Sequence, residues 1–338
     1  MKKFTTLSML FLATVLFAQE EPKSKKLVLS GTVDVYYQTN LTSTDKANDL
    51  FNGGEGGVQS FGTSFANQTG FALGMANLIA SYDGEKTGAV ADLAFGTRGL
   101  QAVGGDTDVF INQIYAYWHI SQKTTLTLGR FNTYLGYEVI SPSGNFNYST
   151  SYLFSSGPFS HVGLKADFSL ANDFNLMLAI MNPTDVNNDL VGGYALGAQL
   201  GYAGHFLNFY YDDKEILGLE LDYTGSFTVT DDFSVGLNVG YADNEGNGFY
   251  GAAIYPKLAT SDNFAIGLRG EYFNWRTKGA ANNPDVFSVT LTGSYSVENL
   301  ILKPELRLDS NSEAIYYDHD LKPTKELAVF TVAAIYSF

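Results

Sequence analysis

The chain has 338 residues, with 20 Lys and Arg against 35 Asp and Glu, a formal charge of −15 and no Cys. That acidic balance excludes nucleic acid as a partner, because such binding rests on Lys and Arg neutralising phosphates. The missing Cys excludes thiol catalysis, thiolate metal sites and disulfides.

In chain order, Lys2 and Lys3 precede an apolar run from Leu7 to Phe17 that ends at Ala18-Gln19. This pattern predicts a cleaved signal peptide over 1–18, since the run is too short to span a bilayer as a helix. Its loss removes two lysines and moves the charge from −15 to −17. Residues 19–338 then form one domain. The first strands are predicted at 27–37, 71–82, 88–97, 108–120 and 124–132. A long loop at 133–160 follows. Further strands are predicted at 161–170, 174–182, 194–203, 205–212, 217–229, 232–242, 248–259, 263–274, 285–297, 300–309 and 326–338. The basis is period-two alternation. Phe287, Val289, Leu291, Gly293 and Tyr295 alternate with Ser288, Thr290, Thr292 and Ser294. Leu300, Leu302, Leu306 and Leu308 alternate with Lys303, Glu305, Arg307 and Asp309, with Pro304 as a blemish. No helical periodicity competes anywhere after the signal peptide.

Connector lengths alternate between short turns and longer loops, the sorting expected of a barrel with periplasmic turns and outer loops. The last strand alternates up to Tyr336 and Phe338, the final residue, which resembles the assembly signal read by the barrel-insertion machinery. In the bilayer core every backbone N–H and C=O needs a partner within the protein, which only helices and closed barrels provide. The fold class is therefore all-β: an antiparallel transmembrane β-barrel of the outer-membrane type, with about 16 strands, set in outer-membrane lipid and lipopolysaccharide. A barrel that wide is not filled by its own wall side chains, so an aqueous lumen is expected. Trp118, Trp275 and many Tyr are assigned to the interfacial girdles.

Parity assigns the lumen face. Asp92, Arg98, Lys165, Asp167, Glu220, Asp222, Arg269, Glu271, Lys303, Glu305 and Arg307 are expected to line the pore. With Asp34, Asp232 and Asp309 added there are nine acids against five bases, which predicts weak cation preference. Arg130 has the parity of Leu126 and Leu128, so either a bulge re-aims it or it lies at the rim.

Thr133-Tyr-Leu-Gly-Tyr-Glu138, Ser141-Pro142, Asn145-Phe-Asn-Tyr-Ser149 and Gly157-Pro158-Phe159, preceded by Asn112-Gln-Ile-Tyr-Ala-Tyr-Trp118 and Leu128-Gly-Arg130, resemble the OmpL-like β-barrel porins of Bacteroidota. The resemblance is sharpest over 108–168. It implies an outer-membrane porin passing small hydrophilic solutes and names no solute. In general porins the third outer loop folds inward and narrows the pore, so 133–160 is expected to form a constriction with Tyr137, Glu138, Asn145 and Asn147. Glu138, the loop's single charge, would then face Lys165 or Arg98.

Enzyme readings are weak. The four His, at 119, 161, 205 and 319, share no metal spacing, and the Gly53–Gly57 stretch lacks the ending of a phosphate-binding loop. No cofactor is implied. A homo-oligomer is compatible with the sequence. The competing reading is a non-conducting barrel acting as adhesin, receptor or scaffold through its outer loops.

Overall fold

The computed structural model describes residues 26–43, 61–104, 110–171, 173–189 and 192–338. The expected signal peptide and the Gly53–Gly57 stretch lie outside the described residues. Sixteen antiparallel strands close into a barrel. They are β1 Lys26–Asn40, β2 Gly70–Asp83, β3 Thr87–Phe95, β4 Ile111–Ser121, β5 Thr124–Asn132, β6 Ser160–Ser169, β7 Phe174–Met181 and β8 Ala195–Tyr202. The second half comprises β9 His205–Tyr211, β10 Leu219–Thr228, β11 Phe233–Asn244, β12 Asn247–Ser261, β13 Phe264–Arg276, β14 Asp285–Val297, β15 Leu300–Asn311 and β16 Glu326–Ser337. Each strand pairs with its chain neighbours, and β16 closes the ring on β1.

The alternation that predicted the strands also sets what each face meets. Leu27, Leu29, Val35, Leu73, Leu128, Leu207, Phe287 and Leu308 stand exposed on the outer face, where only lipid can cover them. Inward positions of β13–β15 carry Arg269, Glu271, Ser288, Thr290, Thr292, Lys303, Glu305 and Arg307, and all are buried. Charges at mid-membrane on the lipid face would cost about 2–4 kcal/mol each, so a one-residue slip of β15 is strongly disfavoured.

Pro304 costs little. The β14–β15 ladder is interrupted between the Thr292–Glu305 and Tyr295–Leu302 pairs, yet the register on either side of the gap is the same. The seam is completed by the last residue. Phe338 N–H donates to Gly31 O at 3.0 Å, and Gly31 N–H donates to Phe338 O at 3.1 Å. The Phe338 ring lies over Gly31, where a Cβ would come within 2.8 Å of it. Tyr336 sits outward, paired with Val33 of β1 and Leu300 of β15.

Three expectations need correction. Two short helices occur, α1 Gly96–Ala102 and α2 Tyr152–Ser156, where none was expected. Both are too short to leave a 3.6-residue signature. Arg98 is therefore not at a strand end: Gly96, at φ +86° and with Gly74 O only 2.5 Å from where a Cβ would stand, turns the chain off β3 into α1. Trp275 is no girdle residue. It shares the inward parity of Phe273 and packs edge-on against Phe273 at 4.8 Å and Tyr152 at 5.3 Å. Trp118 does face outward, half-exposed. Arg130 keeps its outward parity and lies at the rim, where it donates to Asn112 O, Ala102 O and Asn187 Oδ1.

Candidate functional site

Residues 133–160 run from β5 to β6 through the inside of the barrel. The sequence explains how an irregular segment survives there. A buried backbone must find a hydrogen-bond partner for nearly every polar group, and the wall supplies charged ones. Tyr148 and Ser149 N–H groups donate to the two carboxylate oxygens of Glu305 at 2.7 and 3.0 Å. Tyr152 and Leu153 N–H groups donate to Glu271 at 3.0 and 2.8 Å. Gly136 N–H donates to Asp222 at 3.0 Å. The loop's carbonyls take the wall's cations. Arg269 donates to Ser149 O at 2.6 Å, Arg307 to Thr150 O at 2.9 Å, and Lys303 to Pro142 O at 3.0 Å and to Asn145 O. From α1, Arg98 donates to Ile140 O at 2.9 Å and to Tyr148 O at 3.3 Å.

Glu138 finds neither Lys165 nor Arg98. It pairs with Arg269 at 2.7 Å, with side-chain exposures of 4% and 0%, and its second oxygen accepts Ser151 N–H at 2.7 Å. Lys165 pairs instead with Asp167 at 3.0 Å, lower on β6, where both remain partly wet. Of the loop's amides, Asn147 donates to Thr292 Oγ1 at 2.7 Å. Asn145 braces the loop itself, through Val139 N–H at 2.8 Å and Val139 O at 2.7 Å. Tyr148 reaches both sides of the closing strand: its hydroxyl donates to Asp34 of β1 at 2.6 Å while its N–H holds Glu305 of β15.

Apolar seating accompanies these bonds. Loop rings lie flat on inward glycines of the wall. A Cβ on Gly236 would stand 2.2 Å from the Tyr137 hydroxyl, one on Gly267 2.4 Å from the Phe146 ring, and one on Gly197 2.5 Å from the Tyr134 hydroxyl. Tyr137 also stacks on Tyr255 at 4.4 Å, and its hydroxyl lies 3.1 Å from Ser226 Oγ. A second segment, 61–66, enters with the loop. The Phe61 ring lies 3.9 Å from the Arg307 guanidinium, and Thr63 Oγ1 accepts from Arg307 at 3.2 Å. Arg307 also grips Asp309, both of its bonds being 2.9 Å.

Charge on the remaining wall is handled locally. Asp92 accepts from Asn77 at 3.1 Å and Asn112 at 2.7 Å, the latter beside a register shift on β4. Glu220 is buried, and its Oε2 has no hydrogen-bond partner. Outside the membrane span, Asp185 caps the end of the loop by accepting Ser160 N–H at 2.8 Å and Phe159 N–H at 3.1 Å. Burial pushes its carboxyl above the ordinary range, against the lowering by those donors and by Arg130.

Parity placed the charged residues of β10, β13 and β15 on the inner face but did not say what covers them. Sequence reasoning missed the glycine seats, Tyr148 and Tyr152 as anchors, and the entry of 61–66. The signal for the seats was present: glycines in the inward series of β8, β11 and β13, opposite a loop rich in Tyr and Phe.

The fold is shared with solved outer-membrane structures. It is similar to the anion-selective porin from Comamonas acidovorans (TM-score 0.59, 11% identity, covering 93% of this chain and 100% of that one). It is also similar to the loop L8 deletion mutant of OmpT, an outer membrane protein of Vibrio cholerae (0.57, 11%, 93% and 99%). Pseudomonas aeruginosa OccK1 matches with a TM-score of 0.50 at 9% identity, over 92% of this chain and 98% of its own. At such identities the likeness is one of fold. No curated relative matches the sequence. The sequence model of one family matches residues 26–338, nearly the whole chain, and the protein accordingly belongs to the family described as "Putative beta-barrel porin-2, OmpL-like".

Proposed function

We propose that this outer-membrane porin lets small hydrophilic solutes diffuse through its lumen, and that residues 133–160 are its constriction. The observation that carries the reading is the seating of that loop on the charged and hydroxyl-bearing inner wall of β13–β15. In this reading Arg269, Glu271, Lys303, Glu305 and Arg307 fix the loop, whereas Lys165, Asp167 and the tyrosines of β4 meet the solute below it. Passive diffusion needs no catalytic group or cofactor, and we read the chain as non-enzymatic. Export through a cleaved signal peptide over 1–18 and recognition of Tyr336 and Phe338 by the insertion machinery complete the proposal, with a lipopolysaccharide-bearing membrane and a Bacteroidota source as its setting. Self-association into a homo-oligomer is compatible with it. The test is planar-bilayer conductance of the refolded chain, with and without residues 142–156. Discrete steps that grow on deletion support the reading. A folded barrel that never conducts, with or without the loop, refutes it in favour of an adhesin, receptor or scaffold.

A further inference from the structure

Nearly all the buried acids that face the loop are matched by donors, and Glu220 is the exception. It stands on β10 two residues from Asp222, on the same inward face, and is 4% exposed, with Oε2 unpartnered. Asp222 takes Asn208 Nδ2, Asn238 Nδ2 and Gly136 N–H, so those donors are already committed. Among the described residues neither carboxylate has a Lys or Arg within salt-bridge distance. Beside them lies a small cavity, bounded by the two arms of the loop at Leu135–Gly136 and Leu153–Pro158 and by Glu220, Asp222 and Asn238 of the wall. It leaves about 10 Å³ for the centre of a water-sized particle, room for roughly one.

We infer that this cavity binds a single alkali cation, sodium or potassium, which joins Glu220 and Asp222 to the loop. Burying a charge without a partner is costly. A proton would cancel the charge of Glu220 but leave an O–H with no acceptor, because Oε2 has no hydrogen-bonding atom in reach. A cation in the cavity meets both carboxylates at once. Calcium takes six to eight oxygens and magnesium keeps several waters, and both need more ligands and more room than this. No group of three metal-ligating acidic, His or Cys side chains occurs among the described residues. The site is therefore one for a singly charged ion that accepts few protein ligands.

The test is sodium NMR line broadening on the full chain refolded in detergent, with folding checked by the heat-dependent shift in gel mobility. A saturable broadening that potassium displaces is expected. Glu220→Gln should weaken sodium binding by about tenfold or more, and Glu220→Ala, a smaller side chain for the same cavity, should do the same. Glu245→Gln, which removes an exposed outer-loop charge, should leave it unchanged. Absence of a saturable component in the folded parent barrel, or equal broadening in Glu220→Gln and the parent, overturns the assignment and leaves a water or a proton as the occupant.

Discussion

Replacing Arg269 with Met keeps the length of the side chain and removes its charge, so it tests whether the loop is held electrostatically. Arg269 makes the 2.7 Å pair with Glu138 and donates further to Ser149 O and Thr290 Oγ1. Two unit charges about 4 Å apart attract by about 4 kcal/mol at an effective dielectric near 20. Removing one partner of a buried pair costs about 3–5 kcal/mol, because the other charge is left stranded. That cost need not unfold the barrel, whose β12–β13 and β13–β14 ladders do not involve the side chain. It falls on the seated loop, whose opening equilibrium should rise by roughly two to three orders of magnitude. The assay is the rate of proteolytic nicking within 133–160 on refolded protein at low protease, where cleavage tracks the open population. Conductance should rise and become noisier in parallel. Adding Glu138→Gln should recover part of the loss, giving a coupling energy above about 1 kcal/mol. Nicking and conductance equal to the parent, with the barrel folded, would refute the idea that this pair seats the loop.

Gly236→Val puts a side chain where the Tyr137 ring lies and should unseat that arm; unchanged nicking between Thr133 and Glu138 would contradict this. Deleting 142–156 should raise single-channel conductance while the barrel still shows its heat-dependent mobility shift. Deleting Phe338 removes the last two seam hydrogen bonds and the expected recognition signal, so it should block insertion; a normal amount of folded barrel in the outer membrane would count against that. Asp185 has a carboxyl raised above its unfolded value, so the folded state binds that proton more tightly. The contribution is greatest below the unfolded value of about 4 and is lost as pH rises through the raised one. Asp185→Asn should flatten that part of a stability profile, and an identical profile would remove the assignment.

Strand alternation made the wall legible in the sequence, because lipid on one side and polar groups on the other impose a period of two. β5 and β14 emerge with their expected ends, 124–132 and 285–297. The lumen was less legible. The partner of Glu138 is 131 residues away, and nothing local distinguishes Arg269 from Lys165 as a base on the inner face. For the same reason the nine-to-five excess of inward acids is a poor guide to ion preference. Glu271, Glu305 and Asp309, with Arg269, Lys303 and Arg307, are spent on the loop and on each other, out of reach of a passing ion. A loop's backbone carries donors and acceptors that composition does not count, and here they consume most of the wall's charge.

Tyr148 touches the first strand and the fifteenth with β16 between them, and so measures the barrel's shear. A seam that slipped by two residues would keep every apolar side chain toward lipid and every polar one inward, since side-chain direction repeats every two residues. Lipid could not tell such a barrel from the correct one. Asp34 would nevertheless have moved about 7 Å along β1, and one tyrosine could no longer hold Asp34 and Glu305 together. The inner loop thus reads the one error in closure to which the hydrophobic pattern is blind, and it can take its seat only in a ring closed in the right register.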